Sequence, residues 1–486
     1  MGIVKNQSFK NFITTYLGFG IGAINVLILY PHFLTDEYYG LITFVLSTAA
    51  IMMPVLALGT HNTMVKFYSS FKTRNSINSF LTLMLILPLI AIIPLSIIGY
   101  ICFDFIANSL SSKNEIIKDY VWLILIAAIC FAYFEVFYAW SKVQLQSVFG
   151  NLMKEVFHRV GVMLLYIGVY YDWVSVETFI YGIILIYIIR TFVMMIYAFA
   201  IRRPVIKFCK LKTLPAIIKY SLLIIIAGSV AGVMLEIDKF MLGQYIDIEN
   251  VAYYGVAIYI ASVIGVPARA MYQITNPLTA KLLNNKDVIN LRNLYKKSSL
   301  NLFIVGGFVF LLIILNINEL YQILEEQYRG GTLIVFLVGL AKLTDNLMGN
   351  NNAILFNSNY YRMVLFFGFV LAISAIILNM FLIPNYGING AAYATFIAIV
   401  IYNICKIVFV SIKFKMLPFT QNTLKVLMLL IVFVLSFYFW EFTFHPIINI
   451  ALKSILITLL YFGISYKLNL SEDITLILSK YLNRES

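Results

Sequence analysis

The chain has 486 residues, of which 62% are hydrophobic and 12% charged, and its formal net charge is +13. Ordinary globular domains carry about 25% charged residues, so a soluble fold of this size is excluded. The positive charge alone would suggest a nucleic-acid partner, but it lies in short connections between long apolar runs. That distribution is typical of membrane proteins. The composition therefore predicts an all-α polytopic membrane protein and excludes nucleic acid as a partner.

About fourteen apolar runs of roughly 18–25 residues follow one another, each long enough to cross about 30 Å of hydrocarbon as a helix. The connections leave no room for a soluble catalytic domain, so we expect a protein that is not an enzyme. The predicted spans are residues 9–33, 37–60, 79–103, 117–140, 150–171, 175–201, 214–236, 249–272, 297–317, 330–352, 361–383, 388–411, 422–441 and 446–467.

Lys and Arg sort the connections into two sides. Nearly all Lys and Arg residues of the connections fall in alternate loops. The exceptions, in the opposite loops, are Lys113, Lys118, Lys239 and Arg329. Cytoplasmic loops of membrane proteins collect Lys and Arg, so we expect an even number of spans with both termini in the cytoplasm. The most basic connection, residues 202–219, follows the sixth span and divides the first twelve spans into two sets of six.

This division predicts two six-helix bundles plus two C-terminal helices. The predicted boundaries are 1–205 for the N-terminal bundle, 206–415 for the C-terminal bundle, 416–470 for the last two spans and 471–486 for a cytoplasmic tail. The second and eighth spans support an internal repeat, because one opens with Tyr38-Tyr39-Gly40 and the other with Tyr253-Tyr254-Gly255. Transporters are often built from repeated halves.

Among the cations of the predicted spans, three lie about mid-way along a span, where a charge costs about 2.5 kcal/mol or more and needs a partner, a wet cavity or a function. They are Arg159 in the fifth span, Arg190 in the sixth and Lys342 in the tenth. Arginine suits phosphate because its planar fork gives two parallel hydrogen bonds and stays charged in low dielectric. We therefore predict Arg159 and Arg190, with Lys342 next, as contacts to a diphosphate.

Glu135 and Asp345 are carboxylates that lie within predicted spans in the same way, and Asp238 lies near the outer end of the seventh span. Ionisable acids inside membranes often carry ions. These three are therefore candidates for coupling transport to a proton or sodium gradient.

Static pairing is the alternative for each of these charges. Lys342 and Asp345 are three residues apart and share a helical face, and Glu135 is within range of either arginine. Cations near span ends are expected to extend to the membrane interface: Lys66, Arg269 and Lys406. Cations outnumber acids in the first half, so pairing still leaves an arginine for an anionic ligand.

Several kinds of chemistry have no support in the sequence. No G-x-x-x-x-G-K-[ST] motif for ATP is present, and we expect no cofactor. The four histidines are dispersed, and the four cysteines form no C-x-x-C pair, so no metal site is predicted. The longest outward loop, about residues 104–118, is too short for the active site of a polysaccharide polymerase or ligase.

Three segments carry a family resemblance: residues 236–243 (EIDKFMLG), 251–259 (VAYYGVAIY) and 378–395 (LNMFLIPNYGINGAAYAT). They resemble a charged helix end, a helix start and an L-I-P…G-x-x-G-A-A-x-A-T hairpin. All three are found in the polysaccharide transporters of the multidrug/oligosaccharidyl-lipid/polysaccharide exporter superfamily. The resemblance extends over the whole chain in span order, and it implies a V-shaped pair of six-helix bundles.

The resemblance implies a flippase for undecaprenyl-diphosphate-linked oligosaccharide repeat units of O-antigen, capsule or similar polysaccharide, working by alternating access. It also implies the bacterial cytoplasmic (inner) membrane as location, with membrane lipid, a proton or sodium ion, a polysaccharide polymerase and a chain-length regulator as partners. A peptidoglycan lipid II flippase and a cation-coupled multidrug exporter of the same superfamily are the alternatives. Mid-membrane arginines disfavour the exporter, whose cationic drugs call for carboxylates.

Overall fold

The computed structural model describes residues 2–209, 211, 213–440 and 442–482, without the side chains of residues 2–6, 8–9, 226–233, 270, 273, 477–478 and 480–482. Within these ranges the chain is helical and contains no strand, which confirms the all-α fold class. Predictions that involve Lys210, Lys212, Glu441 and the last four residues lie outside the described residues.

The first half of the chain forms ten main helices in the described ranges. Two wider turns of π-helix, Asn25–Leu29 and Met153–Phe157, continue the first helix and precede the seventh. The helices are α1 Gly2–Ile24, α2 Asp36–Leu56, α3 Thr60–Phe67, α4 Arg74–Ile101, α5 Phe103–Leu110, α6 Val121–Val143, α7 His158–Tyr170, α8 Val176–Ile201, α9 Leu214–Tyr245 and α10 Glu249–Ser262.

The second half continues the pattern. Its helices are α11 Val266–Asn284, α12 Val288–Leu315, α13 Ile317–Ile323, α14 Thr332–Leu347, α15 Asn351–Asn357, α16 Tyr361–Phe414, α17 Gln421–Phe437, α18 Pro446–Lys467 and α19 Glu472–Leu482.

Every predicted span coincides with helical structure, because hydropathy over a window is a local property of the chain. In the described residues, ten helical segments are long and apolar enough to cross a membrane, and α16 counts as one of them. The multi-pass membrane class is thereby supported, while the number fourteen stays a prediction. The predicted eighth span, residues 249–272, agrees with the candidate span Glu249–Arg269, in which α10, a short 3-10 turn and the start of α11 follow one another.

Side-chain caps start several of these helices. Thr35, Thr73 and Ser175 each accept a hydrogen bond from the backbone N–H three residues ahead, before α2, α4 and α8. Asp287 does the same before α12, and Thr420 forms a capping box with the third residue of α17. Such caps satisfy N–H groups that a helix leaves without partners at its first turn.

The 54-residue helix α16 contains a sharp turn at Gly387, whose φ of 56° and ψ of −136° are not helical. A Cβ on Gly390 would collide with the carbonyl oxygen of Leu382. In a straight helix these two residues would be about 12 Å apart along the axis, so the chain doubles back here. The break predicted between the spans 361–383 and 388–411 is confirmed.

Two compact units divide the chain. One contains Met1–Gly255 with Ala375–Ala391, and the other contains Val256–Ser374 with Ala392–Ser486. The division therefore falls inside α10, whereas the predicted bundle boundary lies near residue 205. The six-plus-six arrangement stays a prediction.

The two predicted repeat motifs meet inside the first unit. A Cβ on Gly40 would collide with the carbonyl oxygen of Ile248, just before α10, and one on Gly255 would lie 3.4 Å from the Thr43 methyl group in α2. Gly40 thus lets α2 approach the start of α10, whereas the distance at Gly255 is an ordinary van der Waals contact. The internal repeat stays a prediction.

The second unit holds its penultimate helix α18 with a buried charge pair. Lys453 Nζ lies 3.5 Å from Glu319 Oε1 of α13, and the two side chains are 2% and 3% exposed. Tyr461 of the same helix donates to the carbonyl oxygen of Ile304 in α12 at 2.9 Å. Because a buried charge without its partner is costly, this pair fixes α18 against α13.

Candidate anion site in a polar cavity

A cavity of about 620 Å³ lies inside the first unit, among α2, α3, α6, α7, α8 and α9. Among its described lining residues are the cations Lys142, Lys154 and Arg190 and the acids Glu135 and Glu236. Positive charge therefore exceeds negative charge in its lining. A cavity of this size is within the range of small-molecule binding sites.

Arg190 is the most unusual charge in this lining, because it is 6% exposed yet has no acid beside it. The guanidinium carbon lies 4.2 Å from the ring centre of Phe134, 4.7 Å from that of Tyr187 and 5.5 Å from that of Phe131. Its Nε has no hydrogen-bond partner, and no carboxylate oxygen lies within 4.0 Å of its nitrogens in the described residues. The Arg190 guanidinium therefore lacks a hydrogen-bond acceptor among the described residues.

Glu135 is paired with Lys154, which the π-helical turn Met153–Phe157 presents to the cavity. The alternative prediction that Glu135 pairs with Arg159 or Arg190 is wrong, because the Glu135 carboxylate pairs with Lys154 instead. Lys142 lies about two helical turns after Glu135 on α6. Its Nζ lies 3.6 Å from the ring centre of Tyr138. Neither lysine was among the predicted site residues, and the structure adds both to the cavity wall.

Arg159 lies beside the cavity without lining it. Its Nη1 donates to the Glu155 carbonyl oxygen at 2.7 Å and lies 3.4 Å from Glu155 Oε2, and its guanidinium faces the ring of Phe19 at 5.5 Å. Residues four apart share a helical face, and this local pair occupies the arginine. Its role as a diphosphate contact stays a prediction.

Two histidines, which are far apart in the sequence, line the same cavity. His61 has a buried Nδ1 without a hydrogen-bond partner, and the His158 ring stacks on Tyr187 with centroids 5.5 Å apart. Buried polar atoms are usually hydrogen-bonded, so the His61 nitrogen, like Arg190 Nε, indicates a polar ligand or water. Sequence reasoning missed the two histidines because only packing brings α3 and α7 together.

Helix α9 contributes two acids to separate surroundings. Glu236 lines the cavity, and its Oε2 accepts from Ser47 at 2.7 Å and lies 3.1 Å from Lys239 Nζ. Asp238 is fully buried elsewhere, with Oδ2 accepting from the Tyr254 hydroxyl at 2.7 Å and Oδ1 from Asn379 Nδ2 at 2.8 Å. The segments that carry the family resemblance thus meet at Asp238.

The remaining predicted residues lie in the second unit, on α14. Asp345 Oδ1 accepts from Asn403 Nδ2 at 2.9 Å. The alternative of a Lys342–Asp345 ion pair is wrong, since no such pair within 4.0 Å occurs in the part of the chain that the structure describes. Of the six predicted site residues, the cavity of the first unit therefore brings together Arg190 and Glu135.

Comparison with known proteins places this geometry in context. Residues 4–282 match the polysaccharide biosynthesis protein family. No curated protein sequence matches the chain significantly.

Several solved structures share the fold. The lipid II flippase MurJ in an inward closed conformation is 16% identical, with a TM-score of 0.71 over 94% of this chain and 99% of that chain. An inward-facing multidrug resistance MATE family transporter is 15% identical, with a TM-score of 0.58 over 85% and 95%. A MOP superfamily transporter from Pyrococcus furiosus is 15% identical, with a TM-score of 0.61 over 86% and 97%.

Proposed function

Because the chain belongs to the polysaccharide biosynthesis protein family, we propose that it is a flippase for undecaprenyl-diphosphate-linked oligosaccharides. Its substrates would be repeat units of O-antigen, capsule or a similar polysaccharide, moved across the bacterial cytoplasmic membrane by alternating access. The fold is that of a polytopic transporter. The observation that carries the proposal is Arg190, a buried cation that lines a polar cavity and whose Nε has no hydrogen-bond acceptor.

A diphosphate supplies what this cavity lacks. Its oxygens would accept from the guanidinium fork of Arg190, and its negative charge would balance the excess of lysine and arginine in the lining. Lys154 would be drawn from Glu135 toward the phosphate oxygens, since both are anions competing for one ammonium group. Lys142 would add a second ammonium group.

The same competition suggests how transport is coupled to an ion gradient. Once Lys154 turns to the substrate, the carboxylate of Glu135 is left in the cavity without its partner, and an isolated buried carboxylate is costly. Binding of a proton or sodium ion to Glu135 would remove that cost. Asp238 and Asp345 are further candidates for ion coupling, although each already accepts hydrogen bonds from neutral groups.

The lipid II flippase remains the second candidate, because a lipid-linked peptidoglycan precursor presents a diphosphate to the same cavity. A multidrug exporter for cations fits the cavity less well. Its described lining contains three cations and two carboxylates, and Lys154 and Lys239 already pair with those carboxylates.

The test uses purified protein in liposomes with a fluorescent polyprenyl-diphosphate oligosaccharide, and measures its movement between leaflets. Arg190→Ala should reduce flipping at least about tenfold, because a charge-assisted bidentate contact is lost. Arg190→Lys should restore part of it, since lysine offers a point charge instead of a fork. The matched control is Arg292→Ala, an exposed arginine of the second unit, which should flip normally.

Full flipping by Arg190→Ala would remove the diphosphate site from the mechanism. Running the same assay with a lipid II analogue separates the two candidate substrates. Preference for the polysaccharide repeat unit supports the proposal, and preference for the lipid II analogue replaces it with the second candidate.

A further inference from the structure

The second unit contains a cavity of about 440 Å³ between α11 and α15, lined by four polar and four apolar residues. Its polar lining consists of Asn276, Asn352, Asn357 and Tyr272. Side-chain amides and a phenol offer both donors and acceptors without charge, which suits the hydroxyl groups of a sugar. Ala280 also lines the cavity, next to the connection that begins at Lys281 and is predicted to be cytoplasmic, which is the side from which a glycan would arrive.

Lys406 of α16 lies next to this cavity, in contact with its lining residue Asn352. It is 2% exposed, so the expectation that it extends to the membrane interface is wrong. Its Nζ donates to Asn352 Oδ1 at 3.3 Å and lies 3.9 Å from the ring centre of Tyr402. No carboxylate oxygen lies within 4.0 Å of this ammonium group among the described residues.

Asp345 is the acid that would be expected to neutralise Lys406, since its partner Asn403 is three residues before the lysine. Its Oδ1 accepts instead from Asn403 Nδ2 at 2.9 Å. The buried charge of Lys406 is therefore stabilised by the Asn352 amide and the Tyr402 ring, without a carboxylate among the described residues. Replacing such a charge by a hydrophobic residue of similar volume is often neutral or stabilising, so stability alone does not explain the lysine.

Asn352 connects the two features, because its side chain lines the cavity and also accepts the hydrogen bond from Lys406. A ligand in the cavity that carries a carboxylate would compete with this amide for the ammonium group. The carboxylate would gain the stronger, charge-assisted bond.

We propose that this cavity binds an acidic sugar of the glycan, with its carboxylate on Lys406 and its hydroxyl groups on the asparagines and Tyr272. The inference rests on the proposed function and narrows its substrate class to acidic oligosaccharides, such as those that contain a uronic acid. The uncharged amide lining holds the sugar ring, and the lysine selects for the acid.

The experiment measures saturation-transfer NMR on the purified full-length protein, with sodium glucuronate and glucose as separate probes. The wild-type protein should transfer saturation to glucuronate, with glucose weaker by about tenfold because it lacks the charge-assisted contact. Lys406→Met should lose this preference, and Asn357→Ala should weaken the binding of both sugars. The control is Lys425→Met, which changes an exposed lysine and should leave both signals intact.

The melting temperature of Lys406→Met separates misfolding from loss of the site, and it should equal or exceed that of the wild type. The proposal is overturned if the wild type gives no glucuronate signal, or if a folded Lys406→Met keeps the preference. Arg190→Ala distinguishes the two proposals, because it should stop flipping while leaving the glucuronate signal unchanged. Normal flipping by Arg190→Ala together with a lysine-dependent glucuronate signal would refute the diphosphate site and keep this one.

Discussion

The guanidinium of Arg190 lies among three aromatic rings and has a nitrogen without an acceptor. A cation–π contact contributes about 0.5–2 kcal/mol, whereas taking an ion out of water costs several kcal/mol even after relaxation. The rings therefore offset part of the cost and leave the hydrogen-bonding capacity of the fork unused. A phosphate oxygen would satisfy that capacity, which is why Arg190 carries the functional proposal while Arg159, already bonded to Glu155, does not.

The pair of Glu135 and Lys154 gives a test of ion coupling at the same scale. Glu135→Gln should remove the stimulation of flipping by a proton or sodium gradient, because an amide neither titrates nor carries charge. The double variant Glu135→Gln with Lys154→Met should fold, since both charges leave together, and should also lack the stimulation. Flipping is measured in liposomes with and without each gradient.

The exposed pair Lys297–Glu472, with its atoms 2.9 Å apart, supplies the control for that measurement. Glu472→Gln should keep the gradient response. A wild-type response in the double variant would show that Glu135 is only a structural partner of Lys154.

At the scale of elements, the interruptions of regular α-helix lie next to buried polar side chains. The π-helical turn Met153–Phe157 presents Lys154 to the cavity, and Asn25 of the other π-helical turn donates to the Arg159 carbonyl oxygen at 2.8 Å. Such turns are frequent at functional sites. The hairpin of α16 is a further irregular element, since it brings Asn379 to the buried Asp238.

Gly387→Ala tests the hairpin. The φ of 56° and ψ of −136° at this residue are open to glycine and strained for any other residue,. We expect a loss of about 1–3 kcal/mol of stability, seen as a lower melting temperature and a lower yield of folded protein. Gly463→Ala is the control, because no other part of the structure lies within 4 Å of a Cβ placed there; equal melting temperatures for both variants would contradict the strain argument.

At the scale of the whole molecule, the charge distribution predicts the topology. Reporter fusions at Lys286 and at the C-terminus should be cytoplasmic, and a fusion at Asn108, in the short helix α5, should be external. The physical reason is that Lys and Arg near span ends stay on the cytoplasmic side. An external C-terminus would contradict the even number of spans and with it the two-bundle arrangement.

Properties that depend on neighbouring residues in the chain could be predicted from the sequence. The positions of the helices follow from hydropathy over some twenty residues. The turn in α16 follows from Pro384 and Gly387, which lie between two apolar runs. The cost of a charge in the bilayer identified Arg190 and Glu135 as site candidates. These conclusions needed no knowledge of which helices touch.

The tertiary structure decided the partners, because an ion pair or a cavity depends on distances that the order of residues does not determine. Lys154, which was not a predicted site residue, pairs with Glu135. His61 and His158, which are dispersed in sequence, line one cavity. Lys406 is buried instead of extending to the interface, since α15 and the rest of the second unit pack over it. Hydropathy determined which segments are helices within the membrane, and packing determined which of their polar groups remain without partners and are thus available to a ligand.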